Sequence, residues 1–169
     1  MVDGDFTALM SAADPAMIVV TTAVEGEPAG CLVGFHAQSS VLPAHYAVRL
    51  SKANHTYRVG LRASHFAVHL LSVHDIALAE LFGTRSGMDT DKFSGLDVDL
   101  GVAGVPLLGA CPHRLLLERI TLLDDGGDHV GVSGKVLSAQ SPGRLEPLRL
   151  SAVAHLRAGH DSAERVIRP

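Results

Sequence analysis

The chain contains little of what several large protein classes require. It has no tryptophan, and aromatic residues make up only 4% of it. The formal net charge is −4 and no cluster of five lysines and arginines occurs, which argues against a protein that binds nucleic acid through a broad basic surface. No run of 18 apolar residues is present, so we expect no membrane-spanning helix. The first residues are acidic and lack a signal-peptide pattern, and we therefore expect a cytoplasmic protein.

Metal-binding cysteine patterns are also missing. The two cysteines, Cys31 and Cys111, form neither a CxxC pair nor a zinc pattern, and we expect two buried thiols in a reducing compartment. Among the ten histidines, His65, His69 and His74 lie closest in sequence. The segment around His69 is predicted to be a strand, in which positions four apart lie about 13 Å from each other. One ion cannot bridge that distance, so no metal site is expected.

What the chain does contain is typical of one compact domain. It has 169 residues, 47% of them hydrophobic, and 17 glycines that suggest many tight turns. We expect a single domain over 1–169, with a helical extension at 1–14 and a flexible tail at 159–169. Charged residues make up only 19%, which leaves room for a buried interface between copies of the chain.

The predicted elements are mostly strands. The apolar, β-branched run at 17–24 predicts a buried strand. A second strand over 30–41, bent at Gly34, is expected to form a hairpin with it and to end before Pro43. Further strands are predicted at 46–50, 65–71, 114–123, 129–137 and 148–156, a turn at 124–128, mostly loop at 83–112, and helices at 6–13, 55–63 and 76–82, the last one capped by Asp75.

This order of elements decides the fold class. Strands do not alternate regularly with helices, so a doubly wound parallel sheet is excluded. An antiparallel β-barrel with inserted helices fits better, because closing a sheet removes its exposed edges.

A phosphate site is predicted where the strand at 46–50 meets the following helix. Asn54 is a good helix N-cap, and Ser51 could serve one register earlier. The first amides of a helix lack internal partners and favour an anion. The alternative is an ordinary capped helix with solvated charges. Residues that add hydrogen-bond donors around these amides are Lys52, His55, Thr56 and Arg58.

Two further segments are weaker candidates. Small residues at 30–36 would let a flat ring lie against the backbone, although a glycine-bent core strand explains them as well. Asp128 could orient His129 beside it, or the pair could belong to a solvated hairpin turn. No nucleotide-binding GxGxxG or GxxxxGK[ST] motif and no GxSxG motif is present.

Taken in order, these segments resemble the flavin reductase-like family of FMN-binding split β-barrels, over residues 14 to 157. The resemblance implies a mainly β, antiparallel, Greek-key-like split barrel that binds FMN or FAD and uses NAD(P)H as co-substrate. Such proteins are usually homodimers with the flavin near the subunit interface. The segments that carry the resemblance are MIVVTT at 17–22, GCLVGF at 30–35, SVLP at 40–43, LSKANHTY at 50–57, FAVHLL at 66–71, LAELF at 78–82, DKF at 91–93, GVPLL at 104–108 and GDH at 127–129.

The family also implies roles for individual residues. The loop and helix start from Ser51 to Thr56 would take the phosphate, and the segment with Lys92 and Phe93 would close over the nucleotide. His129 would lie near the nicotinamide, where it orients the ring or stabilises developing charge. The strand expected along the isoalloxazine ring and the ribityl chain contributes Cys31, Leu32, Val33 and Gly34.

Two departures from the family pattern bear on the ligand. Leu42, Pro43 and Ala44 stand where relatives often carry Asp-Pro-Pro. Leu32, Val33 and Gly34 stand where the family often has small hydroxyl residues. The second change removes side-chain hydrogen bonds to a flavin. The expected activity is NAD(P)H-dependent flavin reduction, which could supply a partner monooxygenase. The alternatives are a flavin- or deazaflavin-binding electron carrier without reductase activity and a barrel with an empty site.

Overall fold

The computed structural model describes residues 2–159. Its centre is one antiparallel sheet of seven strands in the order β2-β1-β5-β8-β9-β4-β3, with a separate hairpin of β6 and β7. The strands are β1 (Ile18–Val24), β2 (Glu27–Val33), β3 (His36–Ser40), β4 (His45–Ser51), β5 (His65–Leu70), β6 (Val98–Leu100), β7 (Pro106–Leu108), β8 (Arg114–Leu123) and β9 (His129–Gln140). The helices are α1 (Val2–Ala13), α2 (His55–Gly60), α3 (Ile76–Thr84) and α4 (Leu150–Val153), with a short 3-10 turn at Val102–Gly104.

Strand β1 is buried on both faces, which its β-branched apolar sequence predicts. Because side chains alternate along a strand, Ile18 and Val20 face one core and Val19 faces another. The first core fills the inside of the curled sheet and includes Phe66 and Leu117. The second core lies between the sheet, α3 and the C-terminal part of the chain. The mainly β, antiparallel class with inserted helices is therefore confirmed.

The single strand predicted over 30–41 is wrong, because the chain forms two strands there. β2 pairs with β1 at one edge of the sheet, and β3 pairs with β4 at the other edge. Between them, the Phe35 carbonyl accepts a hydrogen bond from the Arg49 amide at 2.9 Å. The sheet curls so that its two edges come close, and residues 34–35 cross from one edge to the other. Gly34 was expected to bend one strand, and it lies instead between two.

The strand predicted over 148–156 is also wrong. This segment makes one isolated bridge, between Arg149 and Ala16, and then forms the short helix α4. The Asp14 carboxylate accepts hydrogen bonds from the backbone N–H and the hydroxyl of Ser151, at 2.7 and 2.8 Å, and so caps the turn from a distant part of the chain. These bonds lower the pKa of Asp14. Leu148 and Val153 are buried in the second core.

Other boundaries differ less. α1 begins earlier than predicted and ends before the Asp14-Pro15 pair, as expected. α2 ends before residue 63, and β9 continues past 137. Asp75 stands before α3, but its carboxylate accepts bonds from Ser72 rather than from helix amides. The region 83–112, expected to be mostly loop, contains the hairpin of β6 and β7. Most of the predicted tail at 159–169 lies outside the described residues.

The turn at 124–128 joins β8 to β9 as predicted, and β8 has the predicted bounds. Within residues 2–159, no helix is long and apolar enough to cross a membrane.

Candidate functional site

A cleft of about 770 Å³ opens beside β2, at the edge of the sheet that has no further strand. We call it the β2 cleft. Its walls are the first half of β2, one side of α2 with the residues just after it, and the segment 87–93. The side chains and backbone that line it include Glu27, Gly30, His55, Arg58, Arg62, Met88, Asp89, Asp91, Lys92 and Phe93.

The sequence at the end of β4 positions the first of these side chains. Asn54 is the N-cap of α2, because its side-chain oxygen accepts the Thr56 N–H at 3.0 Å. Ser51 accepts the Ala53 N–H at 3.3 Å, so it stabilises the turn rather than the helix. The predicted N-cap is confirmed. Thr56 is buried, and His55 lies at the mouth of the turn against the β2 cleft.

The α2 wall of the cleft is basic, and its charges differ in how they are paired. His55 Nε2 lies 3.3 Å from the Glu27 carboxylate, and Arg62 lies 3.8 Å from the same carboxylate. Arg58 donates a long hydrogen bond, 3.6 Å, to the sulfur of Met88. In the described part of the chain, Arg58 forms no ion pair with a carboxylate. This guanidinium is therefore available to an anion in the cleft.

The opposite wall is held by Lys92 and Phe93. The Lys92 side chain is only 3% exposed, and its ammonium donates to the carbonyls of Gly30 at 3.0 Å and Phe82 at 3.2 Å. Burial lowers the pKa of Lys92. The Phe93 ring packs edge-on against Phe82, with centroids 5.5 Å apart. The segment expected to close over a nucleotide does flank the cleft, but its lysine points into the protein.

The four consecutive residues predicted along a flavin ring have their side chains outside the β2 cleft. Cys31 and Val33 are buried in the first core, and Leu32 packs against the second. Gly34 follows the end of β2, near Met17. Burial raises the pKa of the Cys31 thiol. Side chains of these residues do not line the β2 cleft, and β2 meets it through the segment that ends at Gly30.

The other predicted residues meet at the adjoining ends of β4 and β9. Ser51 stands opposite His129 in the register, and the Lys52 amide donates to the Asp128 carbonyl at 2.9 Å. His129 Nδ1 lies 2.7 Å from the Asp128 carboxylate, as the sequence predicts, and the Phe35 ring lies 5.0 Å from the imidazole. The Lys52 ammonium pairs with Asp124 at 2.9 Å. The turn at 51–55 connects this second cluster, formed by Ser51, Lys52, Asp128 and His129, to His55 at the β2 cleft.

Sequence reasoning missed several cleft residues. Glu27 was placed in a turn, and Arg62 lies beyond the end of α2. The spacing of Arg58 and Arg62, four residues apart, is the one signal that could have placed both on the same side of a helical segment. Met88 and Asp89 carry no such signal, because their position depends on a loop folding back onto α2.

The histidines of the described residues are not grouped as a metal site requires. Within residues 2–159, no group of three His, Cys, Asp or Glu side chains is arranged to hold an ion. His69 is fully buried and has a structural environment: Nδ1 donates to the Val19 carbonyl at 3.2 Å, and Nε2 accepts the Leu108 N–H at 3.1 Å. Burial lowers the pKa of His69 to about 4, so the ring is neutral near pH 7.

Comparison with known proteins identifies this architecture. Residues 10–153 match the model of the flavin reductase like domain family. The chain belongs to this family. It is 32% identical to an FMN reductase (NADH) of Agrobacterium fabrum over 122 residues, which cover 72% of this chain and 67% of that relative. It is 25% identical over 125 residues to a ferric-chelate reductase (NAD(P)H) of Archaeoglobus fulgidus, covering 73% of this chain and 74% of that one.

Solved structures of family members have the same fold. A flavin reductase domain protein from Arthrobacter superposes with a TM-score of 0.77 at 20% identity, covering 87% of this chain and 89% of that chain. A Streptomyces globisporus NADH:FAD oxidoreductase gives 0.75 at 23% identity, covering 87% and 88%. This chain spans about half, 49%, of a Sinorhizobium meliloti oxidoreductase that it matches with a TM-score of 0.73 at 25% identity. The predicted split barrel and family membership are confirmed.

The departure at 42–44 lies away from the β2 cleft. Leu42 is 93% exposed in the turn between β3 and β4, and none of the three residues lines the cleft. The change from the family's Asp-Pro-Pro pattern therefore leaves the cleft walls of this chain unaltered.

Proposed function

We propose that this chain is a flavin reductase that binds FMN or FAD in the β2 cleft and uses NAD(P)H to reduce it. The observation that carries the proposal is the cleft itself: in a member of this family, a space of about 770 Å³ opens beside a basic helix wall. Sites for small molecules and cofactors commonly enclose about 300–1,000 Å³.

The residues present fit a flavin nucleotide. Arg58 supplies positive charge at the cleft for a phosphate and has no carboxylate partner among residues 2–159, and His55 adds a ring nitrogen beside it. The Phe93 ring lines the cleft, so a flat ring can pack against it. Backbone amides and carbonyls of β2 replace the hydroxyl side chains that this strand lacks. When bound, the flavin supplies the hydride-accepting ring, while the protein supplies position and electrostatics.

We assign the second cluster to the nicotinamide. Asp128 holds one imidazole nitrogen of His129, which fixes the direction of the other. No bond to that second nitrogen occurs within residues 2–159, so it is free to contact a substrate. His129 in this position orients the nicotinamide or stabilises developing charge.

We also propose a homodimer. On α1, Phe6, Leu9 and Met10 are exposed by 59%, 64% and 46%, and their spacing places them on one side of the helix. Ile120 and Leu123 are also exposed, at the far end of β8. An unpartnered apolar surface of this kind supports an interface between copies. Light scattering coupled to size exclusion tests this directly, and a monomer at micromolar concentration contradicts it.

We make two further proposals, on the cellular compartment and on the protein that consumes the reduced flavin. We propose that the reductase works in the cytoplasm, which is supported by two buried cysteine thiols that are not joined to each other. Burial raises the pKa of Cys111 to about 12, which keeps that thiol protonated and unreactive. A partner monooxygenase would be a natural consumer of the reduced flavin.

The test is an anaerobic titration with FMN and with FAD, followed by NADH and then NADPH, observed at the flavin absorbance bands. Binding followed by bleaching supports the reductase and selects both substrates. Binding without bleaching would indicate an electron carrier instead. If neither flavin binds to the protein, the proposed function is wrong.

A further inference from the structure

Lys92 is a buried lysine at the wall of the β2 cleft. Within residues 2–159 no carboxylate forms an ion pair with its ammonium, and its hydrogen-bond acceptors are the two carbonyls of Gly30 and Phe82. The chain has two other lysines: Lys52 pairs with Asp124, and Lys135 is exposed on β9. A charged group in such a place is costly unless its hydrogen bonds are well made. Lys92 is therefore not an ordinary solvated surface lysine, and its burial indicates a structural role.

We propose that Lys92 is a positioning residue that fastens segment 87–93 to the edge of the sheet and thereby sets the width of the β2 cleft. This role rests on the proposed function only for the identity of the ligand in the cleft. The contacts of Lys92 themselves are present in the protein without ligand.

The two carbonyls that Lys92 contacts are both groups that the fold leaves available. β2 is the last strand on its side of the sheet, so part of its backbone has no neighbouring strand to pair with. Phe82 lies in the last turn of α3, where carbonyls lack partners within the helix and the helix dipole is negative. One ammonium with three donors can serve both. Hydrogen bonds to a charged donor are stronger than those between neutral groups.

Aromatic packing completes the fastening. The Lys92 Nζ lies 5.8 Å from the centre of the Phe82 ring, within the range of cation–π attraction. Phe82 in turn contacts Phe93, the residue after Lys92. Both rings lie against Gly30, where an added Cβ would come within 2.9 Å of Phe82 and 3.2 Å of Phe93. Lys92 thus joins β2, α3 and segment 87–93 at one point.

The first test uses the protein without flavin. Hydrogen exchange is measured in wild type, Lys92→Met and Lys92→Arg, with Lys135→Met as the matched control on an exposed strand position. We expect Lys92→Met to speed exchange of the Asp89, Thr90 and Phe93 amides by about tenfold or more, because two charge-assisted bonds are lost. Amides of β1 should be unchanged, which shows that the variant is folded. Unchanged exchange at 89–93 in folded Lys92→Met overturns the proposal.

The second test measures what the fastening does for binding. We expect Lys92→Met to raise the FMN dissociation constant and the KM for FMN by roughly tenfold, while kcat at saturating FMN stays within about twofold. Lys92→Arg, which keeps a charged donor, should recover part of the affinity. Equal affinity in wild type and Lys92→Met would overturn the positioning role. Failure of wild type to bind FMN would refute the proposed function but leave the exchange result intact.

If Lys92→Met does not fold, Lys92→Gln is the second variant, since its amide can still donate to one carbonyl. Amide exchange at 89–93 in Lys92→Gln should then be faster than in wild type and in Lys92→Arg, because a neutral amide replaces the charged donor. A Lys92→Gln protein whose segment exchanges as slowly as wild type contradicts the proposal.

Discussion

The centre of the sheet and its open edge each bury a basic side chain, and they do so in different ways. At the centre, His69 meets one acceptor, the Val19 carbonyl, and one donor, the Leu108 amide. At the edge, Lys92 meets two acceptors, the carbonyls of Gly30 and Phe82. A neutral imidazole satisfies the first pair, and only a group with several donors satisfies the second.

This difference shows that the two buried basic residues have different roles. His69 stays uncharged and closes the contact between the sheet and β7. Lys92 directs its ammonium away from the cleft, to carbonyls of β2 and α3 behind the cleft wall. Both residues have partly buried counterparts, His129 and Lys52, each paired with an aspartate. The four side chains give a graded series of tests.

The largest expected effect is acid destabilisation through His69. Its pKa of about 4 in the folded protein lies below the ordinary value of 6.5. Above pH 6.5 the ring is neutral in both states and its contribution to stability is complete. As the pH falls from 6.5 to 4, His69 binds a proton in the unfolded chain but not in the folded protein. The free energy of unfolding therefore falls by about 3 kcal/mol. Urea unfolding at several pH values measures this loss.

The control for this prediction is His69→Gln, whose amide can donate to Val19 and accept from Leu108 without titrating. Its free energy of unfolding should fall less steeply than that of wild type between pH 6.5 and 4. Parallel plots of unfolding free energy against pH for the two proteins would show that His69 does not cause the acid destabilisation.

The next effect concerns the glycine whose carbonyl Lys92 contacts. Gly30→Ala would place a methyl group 2.9 Å from the Phe82 ring, and we expect it to destabilise the protein by about 1–3 kcal/mol. Gly34→Ala is the matched control, because its Cβ would meet Met17 at an ordinary 3.6 Å. Thermal or urea unfolding should separate the two variants. Equal stabilities would mean that the edge is not tightly packed against the aromatic pair.

A smaller effect, on rate rather than stability, is expected for His129. His129→Ala should slow anaerobic hydride transfer from NADH by about tenfold or more, with a smaller change in FMN affinity. Stopped-flow absorbance measures the first quantity and equilibrium titration the second. His74→Ala, at an exposed histidine, provides the control. Equal losses of rate and flavin affinity would remove the nicotinamide role from His129.

The smallest effect is expected for Lys52, the partly buried counterpart of Lys92. Its ammonium is held by Asp124 in the turn between β8 and β9, so it has less to offer an anion. Lys52→Met should weaken FMN binding by about two- to fivefold at low salt, and by less at high salt. A loss as large as that of Lys92→Met would reverse the ranking of the two lysines.

Local chemistry explains which features the sequence could predict. The β-branched run of β1, the turn at 124–128 and the Asn54 cap each depend on residues close in the chain. The second cluster was also accessible, because Asp128 and His129 are neighbours. Its approach to Ser51 and Lys52 was not predicted, because it depends on the pairing of β4 with β9.

The features that the sequence did not predict depend on contacts between residues far apart in the chain. The break near Gly34 follows from the curl of the whole sheet, and α4 follows from capping of Ser151 by Asp14, far away in the chain. The direction of Lys92 depends on β2 and α3 meeting beside it. A sequence shows that a lysine precedes Phe93, but not that its ammonium points away from the cleft.

The most direct test of the whole account is a hydrogen-exchange footprint of FMN on the wild-type protein. If the β2 cleft holds the nucleotide, saturating FMN slows amide exchange in α2 and in segment 87–93, with little change in the distal half of β8. Protection confined to other parts of the chain, with none at α2 and 87–93, would contradict the assignment of the site.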